Sequence, residues 1–176
     1  YGFTDRPEPI ESYDIRHLTG DLVGMLDKLG IEKAIFVGHD WGGMVAWSVP
    51  LLHPTRVAGM IGVNTPFLPR APMDPIALMK AAYGDDMYIV YFQKPGVADA
   101  LLGADPGKTL RFFYRRSRMT IAEFDAQPAE LKNLALVHAL QTDEKLWPGE
   151  QVHTPEEHAV FLQAFQRTGF TGGINW

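Results

Sequence analysis

Ile35-Phe36-Val37-Gly38-His39-Asp40-Trp41-Gly42-Gly43 decides how this chain is read. Ala34-Ile35-Phe36-Val37 is a short continuous apolar run, bounded by Lys33 and Gly38. Such a run reads as a strand buried on both faces, as in a parallel sheet. A buried helix is expected over 42–53, with Pro54 following and Pro50 predicted to kink its last turn. Between strand and helix lies a Gly-x-Asp-x-Gly turn. A turn this sharp strains the backbone at its tip and leaves room only for small residues two positions either side, here Gly38 and Gly42. The Asp40 side chain would project above the carboxyl ends of the strands, beside a helix N-terminus whose amides favour negative charge.

The residue at the tip suggests the reaction. A serine attacking a saturated carbon would form an ether, which water does not readily cleave. A carboxylate attacking the same carbon forms an ester whose carbonyl belongs to the protein. An activated water and an oxyanion hole can hydrolyse that ester. Asp40 therefore points to displacement at sp³ carbon: opening an epoxide or expelling a halide. The competing reading is that Asp40 simply caps the helix, since Asp is among the preferred N-caps.

Outward from this turn, the spacing of Leu18, Leu22, Met25, Leu26 and Leu29 predicts one face of a helix over 15–29. Asp14 is its N-cap and Gly30 its stop. Residues 57–63 read as a second buried strand. Helix, strand, helix and strand in that order give an α/β sheet with right-handed crossovers. After Asn64-Thr65-Pro66 the pattern becomes helical, with helices expected at 74–83, 86–93, 106–117 and 154–168 and no strand. Asp105-Pro106 and Thr154-Pro155-Glu156-Glu157 are start signals, the second with a capping-box glutamate. The boundary is placed so that 1–65 is the α/β segment and 66–176 an all-helical one.

The chain has 176 residues, 46% hydrophobic and 21% charged, which is globular composition rather than disorder or coiled coil. A net charge of −5 argues against a general nucleic-acid binder. The absence of cysteine excludes disulfides, zinc ribbons and thiol nucleophiles, and fits a reducing, cytoplasmic setting. No apolar run approaches the ~20 residues of a membrane helix. Tyr1-Gly2-Phe3 opens without Met, and both ends read as interiors of a longer polypeptide.

Taken together, these segments resemble the epoxide hydrolases of the α/β-hydrolase superfamily. Gly38-His39-Asp40-Trp41-Gly42-Gly43 is similar to that family's nucleophile motif. Asn64-Thr65-Pro66-Phe67 resembles the segment leaving the next strand. Tyr88-Ile89-Val90-Tyr91-Phe92-Gln93-Lys94-Pro95-Gly96 resembles the lid segment with one of two epoxide-binding tyrosines. Residues 169–176 resemble the stretch leading to the second. The resemblance implies part of an α/β-hydrolase parallel-sheet core followed by a helical cap, working on a small epoxide without cofactor or metal. It implies that Asp40 attacks an epoxide carbon and that Tyr88 donates a proton to the ring oxygen. The Trp41 N–H would stabilise the oxyanion, and the Trp41 ring would wall the pocket. Phe67 is either a pocket wall or a core aromatic, and Tyr91 competes with Tyr88, three residues away.

The family's upstream His-Gly-x-Pro motif is missing, and so are its histidine base and acidic partner, which are expected beyond Trp176. This chain alone is therefore expected not to turn over. Two alternatives remain: a haloalkane dehalogenase using the same Asp40, or a non-catalytic α/β-hydrolase scaffold that binds a ligand. None of the six histidines reads as a base. His39 is expected to support the turn. His153 and His158 are five apart, not the four of a zinc-binding face. Arg111, Arg115 and Arg118 read as one solvated or salt-bridged helix face, and Asp85-Asp86 as the start of the Tyr88 helix.

Overall fold

The computed structural model describes residues 1–117, 119–126, 128 and 135–176. The chain forms two compact units, one of Arg6–Arg70 with Asn175–Trp176, the other of Ala71–Ile174 with Tyr1–Asp5.

In the first unit, α1 (Ile15–Leu29) starts where Asp14 accepts from the backbone amides of Arg16 and His17. It ends where Gly30 turns left-handed at φ 67°, a conformation that costs glycine nothing. β1 (Ala34–His39), α2 (Trp41–Leu52) and β2 (Val57–Val63) follow. The strands pair in parallel, with Phe36 beside Met60 and Gly38 beside Gly62. Arg56 locks the turn before β1 by donating to the carbonyls of Ile31 and Glu32 and to Asp27.

Leu26, Phe36, Ala46 and Val49 form the core of this unit, flanked by Leu22 and Met60. Among the described residues, only one face of the sheet is covered. Ile35 and Val37 are 61% and 63% exposed, so β1 is not buried on both faces as its composition predicts. A continuous apolar run reports that both faces avoid water, not that both are covered. Met25 and Leu29 likewise stand exposed, because the α1 core contact runs through Leu22 and Leu26. Pro50 lies inside α2, which still runs to Leu52.

The second unit contains α3 (Pro75–Tyr83), α4 (Tyr88–Phe92), α5 (Val97–Ala104), α6 (Pro106–Phe113), β3 (Arg115–Arg116), α7 (Ile121–Asp125), α8 (Leu136–Gln141), β4 (Glu150–Gln151), α9 (Pro155–Thr168) and α10 (Thr171–Ile174). Leu102, Leu140 and Trp147 form its core with Phe92, Phe112 and Phe170 against them. The Thr154–Glu157 capping box closes in both directions at the start of α9.

Three expectations change here. The helix expected to reach 117 ends at Phe113, and Arg115-Arg116 pairs antiparallel with Glu150-Gln151. Arg115 is drawn there because its guanidinium donates to the carbonyls of Trp147, Pro148 and Gly149. This breaks the supposed arginine face, and Arg118 lies outside the described residues. The Asp85-Asp86 pair does not start the Tyr88 helix. Asp85 is taken by Lys80 and Asp86 by His138, and the Met87 sulfur caps α4 instead.

Candidate active site

Asp40 sits between β1 and α2 at φ 54°, ψ −129°. An L residue held there costs on the order of 1–3 kcal/mol, so its surroundings must impose the conformation. They do so through its backbone carbonyl. That oxygen accepts from the Gly43 amide at 2.9 Å and from Thr65 Oγ1 at 3.1 Å. Thr65 is itself anchored, its own carbonyl accepting from Trp47 Nε1 at 2.8 Å.

The tight positions of the turn are not quite those the motif suggests. A Cβ on Gly38 would meet the Gly42 carbonyl, with Ala46 Cβ and Gly43 Cα each at 2.7 Å. One on Gly43 would meet Thr65 Cβ at 2.5 Å. One on Gly42 would meet nothing within 4 Å among the described residues. Closeness to α2 at 38 and to Thr65 at 43 therefore requires glycine at both positions, while 42 has room.

The Asp40 carboxylate is exposed, and Oδ1 accepts from the Trp41 amide at 2.7 Å. So Asp40 does touch the end of its helix, as the capping reading expects. The geometry differs from an ordinary N-cap, which has extended φ/ψ and accepts from the second or third helical amide. Oδ2 accepts no hydrogen bond among the described residues. The carboxylate thus has one oxygen on a backbone donor at a helix N-terminus and the other open to an electrophile. The Trp41 ring is 44% exposed. Phe67, 49% exposed, stands edge-on to Trp47 with ring centroids 5.9 Å apart.

Tyr88 is the first residue of α4 and lines a cavity of about 360 Å³ in the helical unit. Leu110, Phe113, Tyr114 and Phe170 share its wall. Tyr88 meets Phe92 edge-on at 5.8 Å. Tyr91 is outside that wall, its ring under the Lys94 ammonium at 5.7 Å. Tyr1 and Tyr114 also bring phenols to the cavity. The sequence reading singled out neither; the Phe112-Phe113-Tyr114 run was the available signal for Tyr114.

Four of the histidines, His17, His53, His138 and His153, have other partners. His17 bonds Asp14 at 2.8 Å, His138 bonds Asp86 at 2.9 Å and His53 approaches Thr19 Oγ1 at 3.3 Å. His153 is stacked on Phe161 at 4.6 Å and lies against Tyr114. Among the described residues no group of three or more His, Asp or Glu side chains is placed to hold a metal ion, and no helix is long and apolar enough to cross a membrane.

Comparison with known proteins matches residues 1–158 to the family described as alpha/beta hydrolase fold. Epoxide hydrolase A of Mycobacterium tuberculosis is 42% identical over all of this chain and 54% of its own length. Bifunctional epoxide hydrolase 2 of Mus musculus is 36% identical, again over the whole chain and 31% of its own. The crystal structure of Epoxide Hydrolase A from Mycobacterium thermoresistibile superposes with a TM-score of 0.79 at 42% identity, covering all of this chain and 55% of that one. The chain therefore spans about half the length of the first of these relatives or less.

Proposed function

Because the chain belongs to the alpha/beta hydrolase fold family, we propose that it supplies the nucleophile and a proton donor of an epoxide hydrolase. Asp40 Oδ2 attacks an epoxide carbon and the carbon–oxygen bond breaks. The ring oxygen takes a proton from the Tyr88 phenol, which is neutral near pH 7 and suited to an apolar wall. The product is an ester on Asp40. Water then adds to its carbonyl, and the charge develops on Oδ1. The ester collapses to release a vicinal diol and restore the carboxylate, one proton of the water passing to the departing alkoxide and the other returning to the Tyr88 phenolate. Residues 1–65 act as the core segment and 66–176 as the cap, with Trp41 and Phe67 as substrate walls.

The observation carrying this reading is the strained Asp40 backbone with the Trp41 amide 2.7 Å from Oδ1. A donor at that distance is in place for the oxygen that becomes the oxyanion. The epoxide hydrolase relatives support the substrate class. We assign no water-activating base among the described histidines. The test is to mix the intact protein with an epoxide and quench early. The reading expects the substrate's mass on the peptide containing Asp40. An unmodified Asp40 peptide during turnover would overturn it.

A further inference from the structure

The cavity beside Tyr88 is closed partly by Tyr1, although Tyr1–Asp5 is about seventy residues from the rest of its unit in sequence. Several contacts clasp this segment. Arg167, near the end of α9, donates from Nη2 to the Gly2 carbonyl at 3.1 Å. The same guanidinium lies 4.9 Å from the Phe3 ring centroid, within cation–π range. The Tyr1 ring lies over buried Gly172, where a Cβ would stand 2.8 Å from Tyr1 Cε2. Gly172 belongs to α10, whose Thr171 hydroxyl donates to Asp99 of α5 at 2.5 Å.

We infer that Tyr1 is a specificity-determining wall of this cavity, held by Arg167 as a positioning residue and by the missing side chain at Gly172, and that the clasp limits the size of the uncharged apolar group admitted. Apart from Thr109, whose hydroxyl donates to the Leu102 carbonyl, the side chains of the wall are hydrocarbon and phenol, and none is charged. A carboxylate or ammonium inside would lack a partner and be disfavoured. At about 360 Å³ the space is roughly twice the ~150 Å³ known to hold a benzene. A two-ring group is the expected fit, and a third ring would have to displace Tyr1. This inference deepens the proposed function by taking the cavity as the seat of the epoxide's apolar substituent.

The test uses toluene, naphthalene and phenanthrene, none of which carries an epoxide. Binding to the intact protein is measured for wild type, Tyr1→Phe, Tyr1→Ala, Arg167→Ala and Gly172→Ala, with melting temperatures to show that each is folded. Wild type and Tyr1→Phe should favour naphthalene. Tyr1→Ala, Arg167→Ala and Gly172→Ala should raise the affinity for phenanthrene relative to naphthalene by about tenfold, roughly 1.4 kcal/mol. An unchanged ratio in folded Tyr1→Ala and Arg167→Ala proteins overturns the inference, as does wild-type preference for toluene or for phenanthrene. Because the probes cannot react, a failed ester trap leaves this result readable, and an unchanged ratio leaves the ester mechanism standing.

Discussion

Thr65 Oγ1 donates to the backbone carbonyl of Asp40 at 3.1 Å. The exit of one strand thus braces the strained tip that follows its neighbour. The Thr65 side chain also fills the space a Cβ on Gly43 would need. Bracing of this kind holds the backbone of the tip in its strained conformation.

Replacing Asp40 by Asn keeps the shape of the turn but removes the negative charge that the proposed attack requires. Epoxide turnover by the intact protein should fall by roughly 10⁴-fold or more, with no mass added to the peptide. Thermal unfolding should change little, which separates loss of chemistry from loss of fold.

The glycines of the turn should respond differently to alanine. At Gly38 the new Cβ meets backbone and Ala46, so overpacking should cost about 1–3 kcal/mol. At Gly42, inside α2 with open space around it, alanine should be neutral or stabilising by up to about 1 kcal/mol. Denaturant midpoints of the two variants check both signs.

Tyr88→Phe retains the ring at the cavity and removes only the phenol. Turnover should drop by roughly 10²-fold, the scale of a lost general acid. Tyr91→Phe, outside the cavity wall, should stay within about twofold of wild type. Steady-state rates with one epoxide decide between the tyrosines. The opposite ranking would move the acid to Tyr91.

Arg111 donates from Nε and Nη2 to both Glu144 oxygens at 2.8 and 2.7 Å. These hydrogen bonds first, and the charge attraction after them, hold the Glu144 carboxyl below its ordinary 4.5 and Arg111 above its ordinary value. The glutamate's contribution is therefore present above about pH 4.5 and lost as pH falls through its depressed value. Arg111 stays charged throughout. With the side chains 37% and 40% exposed, the effect is under about 1 kcal/mol. Melting temperatures at pH 7 and pH 3 should differ less in Glu144→Gln than in wild type.

Legibility followed how local each signal was. Asp14, Gly30 and the Thr154–Glu157 box act within a few residues, and the helices they bound are where the sequence places them. The Asp40 turn was legible because the glycines that make room for it, Gly38 and Gly43, lie close by in sequence. What escaped depended on distant partners. Arg115 became a strand because carbonyls at 147–149 accept from it. Asp85 and Asp86 were diverted by Lys80 and His138. Thr65 looked like an ordinary strand exit, and only its placement against Asp40 and Gly43 reveals the brace. Tyr1 gave no sign of lining a cavity, since its companions there lie beyond residue 87.

The uncovered side of the sheet has a practical consequence. Ile35, Val37, Ile61 and Val63 leave a branched aliphatic patch wet, each at least 42% exposed, and parallel register puts them on one side. Such a patch is adhesive in water. A preparation of this polypeptide by itself will therefore cluster as it is concentrated. Lysine at 37 and 61 should delay that onset in light scattering.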